Sequence, residues 1–361
     1  MSSFTIPLHA IKGRGSAMAL PHRFHADARD PFDDGWGTCE VADDRVSASP
    51  TEVVLEHAKS AISRNESPDI HFDYGLNPYR GCEHGCIYCF ARPTHSYLNL
   101  SPGLDFETRI IAKPNLAQRL SEELDRRSYV PRQIVIGSAT DAYQPVERRL
   151  RITRSVIELL QRCHHPLAIV TKGSGVERDL DLLASMAARG LAAVYVTITT
   201  LDSELASKLE PRAASPQRRL RTIRALAAAG VPVGVSVAPQ IPFVNDDMEQ
   251  VLAAAAEAGA SRAFYAVLRL PWEVNPLFQQ WLALHYPLRA ERVMARVREM
   301  RGGRDYDSDF ATRMKGQGVW AELLRQRFEK ACARLGLNRE RNPLDVTQFQ
   351  PALLAGQARL F

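Results

Sequence analysis

Short runs of apolar, often β-branched residues alternate with longer segments whose apolar residues recur every three or four positions between His71 and Leu268. The short runs are typical of buried strands, and the longer pattern is typical of helices that bury one face. This alternation predicts strands at 71–76, 133–137, 167–171, 193–199, 232–237 and 262–268, and helices at 115–127, 146–162, 176–189, 216–229 and 246–258.

Six predicted strands that alternate with helices, without hairpin signals between them, favour a parallel α/β sheet. An open doubly wound sheet usually carries a glycine-rich phosphate loop after its first strand, and neither G-x-G-x-x-G nor the P-loop G-K-[ST] occurs here. We therefore predict the α/β class, as a partial (β/α)6 TIM-type barrel over residues 70–275. Its chemistry is expected at the carboxyl ends of the strands.

The segments on either side of this barrel differ from it in composition and in predicted secondary structure. Residues 1–69 combine glycine, proline and mixed charges, which predicts a largely irregular N-terminal extension with one helix over 50–64. Residues 276–361 are predicted to be a basic helical C-terminal region, with helices at 288–301 and 319–335. With 361 residues, 45% of them hydrophobic, the chain can bury a sizeable core, which excludes a disordered or collagen-like protein.

Charge and apolar runs indicate possible partners. The sequence has no apolar stretch long enough to span a bilayer, and its first twenty residues lack the continuous apolar core of a secretory signal, so a cytoplasmic protein without a membrane partner is expected. The net charge is +5, and fourteen Lys and Arg stand against eight Asp and Glu between Arg289 and Arg341. This 289–341 basic region is compatible with contacts to nucleic-acid phosphates and equally with a solvated helical surface.

Three of the six cysteines lie within eight residues, as Cys82, Cys86 and Cys89, with the spacing C-x3-C-x2-C. Glycines between them allow a tight loop in which three thiolates converge. Disulfides are disfavoured by this crowding. A structural zinc site normally uses four protein ligands, and no second cysteine pair is present. A catalytic zinc and an iron–sulfur cluster that takes three ligands from this loop both remain compatible with the pattern.

The cysteine spacing and the surrounding alternation of strands and helices resemble the radical S-adenosylmethionine (SAM) superfamily over roughly residues 70–270. Within that superfamily the chain resembles the spore-photoproduct-lyase-like branch, whose members are often labelled DNA repair photolyases. The matching segments are 77–82 (NPYRGC), 88–89 (YC), 140–147 (TDAYQPVE), 170–172 (VTK), 210–211 (EP), 219–220 (RL), 237–239 (VAP) and 313–316 (RMKG).

The resemblance implies a [4Fe–4S] cluster held by Cys82, Cys86 and Cys89, with the SAM amine and carboxylate on the fourth iron. One-electron reduction would then give a 5′-deoxyadenosyl radical, which abstracts hydrogen from a substrate over the barrel mouth. Polar residues near the predicted strand ends are the candidates for contacts with SAM. They are Ser138, Thr140, Asp141, Lys172, Thr197, Glu210 and Arg219 for cofactor binding, and Tyr88 and Lys172 for catalysis.

Each of these candidates also has an ordinary structural interpretation. Tyr88 is compatible with simple loop packing, and Lys172 with a salt bridge at the barrel rim. Threonine is common in strands. Glu210 and Arg219 are compatible with a loop charge and a helix-surface charge.

Two departures from the family pattern limit what the resemblance implies. Many members carry Gly-Gly-Glu after the second strand to hold the methionyl amine, whereas this chain reads Ser138-Ala139-Thr140, so either hydroxyl groups serve instead or the amine is held in another way. The lyase itself uses a cysteine near that position as a hydrogen donor, and this chain has no cysteine between Cys89 and Cys163. The resemblance therefore extends to the fold and to radical generation, but not to the substrate of the lyase.

The other three cysteines are isolated in the sequence. Cys163 and Cys332 lie in apolar helical patterns and are predicted to be small core residues. Cys39 is a candidate hydrogen donor or auxiliary ligand only if the N-terminal extension folds over the site.

The function predicted on these grounds is that of a radical SAM enzyme acting on DNA, RNA or a nucleotide, in repair or modification. A reduced flavodoxin or ferredoxin-type protein would supply the electron. Two alternatives remain: a radical SAM enzyme that acts on a peptide or a small metabolite, and a non-catalytic zinc- or cluster-binding scaffold.

Overall fold

The apolar runs of the central region form a mostly parallel sheet in the computed structural model, which describes residues 10–24, 50–339 and 343–354. The central strands are short and largely buried, as is typical of parallel strands that helices cover. The strands are β1 (Glu52–Leu55), β2 (Ile62–Arg64), β3 (Tyr74–Leu76), β4 (Tyr79–Arg80), β5 (Arg109–Ala112), β6 (Ile134–Ile136), β7 (Leu167–Thr171), β8 (Ala192–Thr197), β9 (Val233–Gln240) and β10 (Arg262–Val267).

Helices connect these strands and bury their apolar stripes. The predicted single helix at 146–162 is broken at Arg151, whose positive φ of 52° separates α3 from α4. Within the described residues, no helix is long and apolar enough to cross a membrane. The helices are α1 (Leu104–Thr108), α2 (Leu116–Leu124), α3 (Glu147–Leu150), α4 (Ile152–Arg162), α5 (Leu180–Ala187), α6 (Ser203–Leu209), α7 (Pro216–Ala228), α8 (Met248–Glu257), α9 (Val274–His285), α10 (Ala290–Glu299) and α11 (Gly318–Leu335).

The main sheet has seven strands in the order β2-β3-β6-β7-β8-β9-β10. The six strands from β3 to β10 in this order run parallel, and β2 pairs with β3 in the antiparallel direction. Because β2 and β10 are the two edges of the sheet, the barrel is not closed. The predicted α/β fold, with six parallel strands in a partial (β/α)6 barrel, is confirmed.

The predicted helix over 50–64 is wrong. This segment contains two short strands, and β1 pairs in parallel with β5 while β4 pairs with β5 from the other side. The β-branched pair Val53-Val54 suits an extended backbone, and its strand is fixed by hydrogen bonding to a partner more than fifty positions away. The N-terminal extension is therefore partly ordered as sheet, and this second sheet lies beside the first.

The C-terminal helices pack against the barrel and share its core. Helices α10 and α11 match the two helices predicted there; α11 packs against α8, and its residues Leu324 and Phe328 are buried in the core. Cys163 and Cys332 are buried in the same core, as predicted. Cys39 lies outside the described residues. A second apolar cluster joins the cysteine segment to α6, α9 and α10.

Candidate functional site

The three clustered cysteines lie on a tightly folded loop that follows β4. Gly81 begins the loop with a φ of +78°, and a Cβ atom there would lie 2.9 Å from both His95 Cε1 and the Phe106 carbonyl oxygen. Only glycine fits this conformation without displacing its neighbours. Backbone N–H groups of Cys82, Gly85 and Cys89 donate to Phe106 O, Cys82 O and Cys86 O. The backbone is therefore fixed independently of any bound group.

All three thiols are free. Cys82 and Cys86 are 7% exposed, and Cys89 is half-buried. Burial raises the pKa of Cys86 to about 12, and burial together with Asp141 and the other two thiols raises the pKa of Cys82. A coordinating metal reverses this tendency because thiolates are its ligands.

Three free thiols on one short loop fit the donor set of an iron–sulfur cluster with one open iron. Among the described residues, no group of three or more His, Cys, Asp or Glu side chains stands at metal-binding separation. In a [4Fe–4S] cluster each cysteine would bind a different iron, so the three sulfur atoms need not converge on a single ion.

The polar residues predicted to contact SAM gather at the carboxyl edge of the sheet. Residues 138–141 follow β6, Lys172 follows β7 directly, and Thr197 is the last residue of β8. The cysteine loop reaches the same edge, because the carbonyl oxygen of its first residue, Gly81, accepts a hydrogen bond from Thr140, which follows β6. Because the carboxyl ends of parallel strands meet at one edge, these groups form one candidate site, where the sequence predicted it.

Two hydroxyl residues after β6 already contact the segment that leads into the cysteine loop. Thr140 Oγ1 donates to Gly81 O at 2.6 Å, and Gln144 Nε2 donates to Thr140 Oγ1 at 3.0 Å. Ser138 Oγ accepts from Asn77 Nδ2 at 3.3 Å. In this structure both hydroxyls therefore position the loop, and their predicted contacts with SAM remain predictions.

Asp141 is enclosed by hydrogen-bond donors. Its carboxylate accepts from the Tyr143 and Lys172 backbone N–H groups and from Thr171 Oγ1, at 2.7–2.8 Å, and His84 Nδ1 lies 3.3 Å away. Burial raises the pKa of Asp141, but His84 and these hydrogen bonds outweigh burial and bring the pKa below its ordinary value. Both oxygens have partners, so Asp141 ties the β6 and β7 loops together, and its predicted contact with SAM stays a prediction.

Glu210 and Arg219 form a buried ion pair beneath the cysteine loop, each with only 2% exposure. Arg219 lies on α7 but is buried, so its alternative interpretation as a helix-surface charge is wrong; Glu210 does lie in the loop after α6 but is buried there. Arg219 also donates to Thr197 O at 3.0 Å, and the Tyr88 hydroxyl donates to Glu210. Although burial raises the pKa of Glu210, Arg219 and Lys172 lower it to about 2. These residues connect the loop to β8 and α7.

Tyr88 and Lys172 meet at this point. Burial, followed by the nearby charge of Glu210, raises the pKa of Tyr88, so its phenol is a hydrogen-bond donor. The Lys172 Nζ lies 5.7 Å from the centre of the Tyr88 ring, and the lysine is half-buried. The two residues predicted as catalytic therefore share one site with Cys86 and Glu210.

Sequence reasoning missed several residues that shape the site. Gln144 accepts from the Glu83 N–H at 2.9 Å, and Glu83 in turn accepts from the Val146 N–H at 2.7 Å. Arg92 and Glu107 are fully buried beside the loop. Whether a charged side chain is buried and paired depends on contacts between segments that are distant in the chain. Such contacts leave no local pattern in the sequence.

Comparisons with known proteins give one matching family model and two uncharacterised relatives. The family model of the Radical SAM superfamily matches residues 76–255. An uncharacterised protein of Mycobacterium tuberculosis strain H37Rv is 35% identical over 307 residues, which cover 84% of this chain and 86% of that protein. An uncharacterised protein of Methanocaldococcus jannaschii is 26% identical over 239 residues, which cover 66% of this chain and 85% of that protein.

Solved structures share the fold. A spore photoproduct lyase variant aligns with a TM-score of 0.52 at 17% identity, covering 79% of this chain and 80% of that one. A second variant, with bound AdoMet and dinucleoside spore photoproduct, aligns with a TM-score of 0.52 at 16% identity. At these identities the similarity shows a common fold.

Proposed function

This chain belongs to the radical SAM superfamily, and on that premise we propose that it is an enzyme that binds a [4Fe–4S] cluster through Cys82, Cys86 and Cys89 and cleaves SAM reductively. The observation that carries the proposal is the presence of three free thiols on one preformed loop at the carboxyl edge of the sheet. When bound, the cluster and SAM supply a 5′-deoxyadenosyl radical that abstracts hydrogen from the substrate.

We propose roles for the surrounding side chains in binding SAM. Lys172 offers a half-buried cation beside Tyr88, suited to the methionyl carboxylate. Ser138 and Thr140 offer hydroxyl groups after β6, where they can accept from the methionyl amine. Thr197 lies at the end of β8 on the same edge. Asp141, Glu210 and Arg219 support these groups through the contacts described above.

Anaerobic reconstitution tests the proposal. We expect about four irons per chain, visible absorbance that dithionite bleaches, and 5′-deoxyadenosine formed from SAM. Cys86→Ala is expected to abolish the product. Cys332→Ala is the matched control, because Cys332 is a buried core residue on α11. Undiminished 5′-deoxyadenosine from Cys86→Ala, or a tightly bound zinc ion in place of iron, would overturn the proposal.

The electron donor is proposed to be a flavodoxin or a ferredoxin-type protein. Reductive cleavage of SAM consumes one electron, and a protein donor of low potential can deliver it to a cluster. Replacing dithionite with a chemically reduced flavodoxin is expected to sustain 5′-deoxyadenosine formation. If neither reduced flavodoxin nor reduced ferredoxin supports turnover while dithionite does, this part of the proposal fails.

We propose DNA, RNA or a nucleotide as the substrate, and the supporting observation is a group of exposed aromatic rings around Arg23. The guanidinium carbon of Arg23 lies 4.5 Å from the Trp272 ring, 4.6 Å from Phe24 and 5.2 Å from Tyr97. Each ring is more than half exposed. We call these four residues the aromatic rim. Large exposed apolar groups mark interaction surfaces, and aromatic rings next to arginine are suited to stacking with bases.

Two residues of the aromatic rim, Trp272 and Tyr97, lie in segments that follow β10 and the cysteine loop in the chain. Trp272 is in the connection that leaves the carboxyl end of β10, and its positive φ of 45° is unusual for a large residue. Tyr97 belongs to the short helix Arg92–Leu98 that follows the cysteine loop. Glu273 accepts two hydrogen bonds from Arg23 Nη1 and fixes the guanidinium in place.

The 289–341 basic region supports this substrate less than its composition indicates. Several of its arginines are neutralised by carboxylates of the protein itself, and a paired guanidinium attracts phosphate less. These ion pairs are Arg296 with Glu299, Arg298 with Asp305, Arg313 with Asp69, Arg325 with Glu322 and Arg327 with Glu249.

Binding of a labelled single-stranded oligonucleotide tests the substrate class. Affinity is expected to fall as salt rises, and Trp272→Ala is expected to weaken binding by about 5- to 150-fold, the range for one lost base stack. Phe264→Ala is the matched control, since Phe264 is an exposed aromatic residue on β10. No measurable binding, or equal losses in both variants, would instead favour a peptide or a small metabolite as the substrate.

A further inference from the structure

Arg92 is fully buried and uses all of its donors next to the cysteine loop. Its Nε donates to Cys86 O at 2.9 Å, and one terminal nitrogen donates to Gly85 O at 3.1 Å. The remaining donors reach the carbonyl oxygens of Pro102 and Gly103 and the carboxylate of Glu107. A guanidinium has five N–H donors in a fixed fork, and here five acceptors match them. Arg92 therefore fixes the carbonyl groups of Gly85 and Cys86, at the end of the segment that joins the first two cysteines.

Glu107 links that arginine to the beginning of the described chain. It is fully buried, and its two oxygens accept from the backbone N–H groups of Gly15 and Ser16 at 2.9 Å each, in addition to Arg92. Arg14 donates to the Glu107 carbonyl oxygen at 3.0 Å. We call residues 10–24 the N-terminal strap. Arg92 and Glu107 thus connect the strap to the cysteine loop through one buried network.

The strap approaches the cysteine loop more closely than a side chain would permit. A Cβ atom on Gly15 would lie 1.8 Å from the Gly85 carbonyl oxygen. A Cβ on Gly103 would lie 2.4 Å from Met18 O, three residues further along the strap. Real Cβ atoms do not reach such separations, so the docked position of the strap requires glycine at both places.

The remainder of the strap is fastened beyond the loop. The Leu20 N–H donates to Ser101 Oγ at 2.8 Å, and His22 Nε2 lies 3.0 Å from Asn99 Oδ1. Arg23 pairs with Glu273, one residue before α9. The strap therefore runs from the cysteine loop to the start of the C-terminal helices, with contacts along its length.

From this geometry we propose that the N-terminal strap, acting through Glu107 and Arg92, positions the cysteine loop for its cluster and slows the loss of the cluster. Glu107 and Arg92 are positioning residues, since their bonds reach backbone carbonyls and the strap. The inference rests on the proposed function, because it concerns the same three cysteines. Coupling of this kind is reciprocal: a strap that stabilises the cluster-bound loop is itself stabilised when the cluster binds.

Gly15→Ala tests the forward direction. In anaerobically reconstituted protein, the absorbance of the cluster is expected to decay in air, or on addition of a chelator, about 5- to 150-fold faster than in the wild type, the usual range for coupled sites. Gly13→Ala is the matched control, because Gly13 lies in the same strap at a φ of +76° and a Cβ there meets nothing within 4 Å. Equal decay rates in the two variants would overturn the inference.

Hydrogen exchange of the wild-type protein tests the reverse direction and needs no variant. The N–H groups of Gly15 and Ser16 are expected to exchange about 5- to 150-fold more slowly in the cluster-loaded protein than in the apoprotein, while those on α11 are unchanged. Equal protection of the strap in both forms would contradict the coupling. A wild-type chain that binds no iron would instead refute the proposed function, so the two failures are distinguishable.

Discussion

The ion pair between Glu210 and Arg219 shows how single residues at this site depend on each other. Each charge is removed from water, and the pair is stabilised only because the two groups neutralise one another and share further hydrogen bonds with Tyr88 and Thr197 O. Removing one member leaves the other charged and enclosed. Removing one partner is therefore expected to cost more free energy of unfolding than the intact pair contributes to it.

Glu210→Gln is expected to lower the free energy of unfolding by about 3–5 kcal/mol, because Arg219 then remains buried without a compensating charge. Urea unfolding of the apoprotein measures this change. Glu204→Gln is the control, since the Glu204 side chain is 78% exposed and pairs with Lys208 at the surface, where a loss of at most about 1 kcal/mol is expected. Equal losses of unfolding free energy in the two variants would show that the buried pair stabilises the protein no more than the surface pair does.

The stability of the apoprotein should also depend on pH through Glu210. Its pKa is lowered from an ordinary value of 4.5 to about 2, so the folded state binds this proton more weakly than the unfolded state does. The stabilisation is therefore fully present above pH 4.5 and is lost as the pH falls from 4.5 towards 2. Unfolding free energies from pH 6 downward should fall less steeply in Glu210→Gln than in the wild type, and parallel curves would contradict the assignment.

The three clustered thiols of the candidate site could be found from residues that are adjacent in the chain. The spacing of Cys82, Cys86 and Cys89 is local, and so are the apolar patterns that place Cys163 in the core. The burial of Arg92 could not be predicted in the same way. Its partners include a carboxylate fifteen positions away that is itself bound to the strap, and no local pattern encodes such a contact.

At the scale of elements, the cysteine loop depends on its entry from β4. Gly81 turns the chain at a φ of +78°, and its carbonyl oxygen accepts from Thr140, so the direction of the first cysteine is set before the loop begins. The loop is therefore a rigid connection between β4 and the helix Arg92–Leu98.

Gly81→Ala is expected to reduce iron incorporation and to destabilise the apoprotein by about 1–3 kcal/mol more than its control, because the added Cβ meets His95 and the backbone of Phe106 at 2.9 Å. Gly190→Ala is that control, with a φ of +70° and no atom within 4 Å of the added Cβ. Iron content after reconstitution and thermal unfolding measure the two effects. Similar behaviour of the two variants would mean that backbone strain alone, and no steric clash, limits position 81.

The alternation of strands and helices in the barrel could be predicted because each element carries its own periodic pattern. The strand β1 could not, because four residues with two valines fit either a strand or a helix until β5 is present to pair with them. The break at Arg151 escaped prediction for a similar reason, since the apolar stripe continues across it.

At the scale of the whole molecule, the C-terminal region packs against the edge strand β10, which the open barrel leaves without a neighbouring strand. Asn338 donates to Ala263 O and accepts from Ala263 N–H, both at 2.9 Å, and thus satisfies the outer edge of β10 as another strand would. Arg313 forms two hydrogen bonds of 2.6 Å with Asp69, which joins the loop before α11 to the segment before β3. The predicted basic tail is therefore packed on the barrel, and where the domain boundaries fall remains a prediction.

A double-mutant cycle on Asp69→Asn and Arg313→Met is expected to give a coupling energy of about 1–2 kcal/mol, because the contact is bidentate and both side chains are only about one-tenth exposed. The cycle is measured by urea unfolding. The exposed pair Arg325 and Glu322 is the comparison, with an expected coupling of at most about 0.5 kcal/mol. If the coupling energy of Asp69 with Arg313 is no larger than that of Glu322 with Arg325, this contact does not stabilise the packing of the C-terminal region on the barrel.

The order of the N-terminal strap and the cysteine loop along the chain has a consequence for synthesis. Gly15 leaves the ribosome 92 residues before Glu107, the residue that its N–H group binds. At about 5–20 residues per second, the strap waits about 5–20 s for its partner, and the cysteines emerge during that interval. Each newly made molecule thus passes through a period in which its three clustered cysteines have been translated while the strap still lacks Glu107, its buried partner beside the cysteine loop.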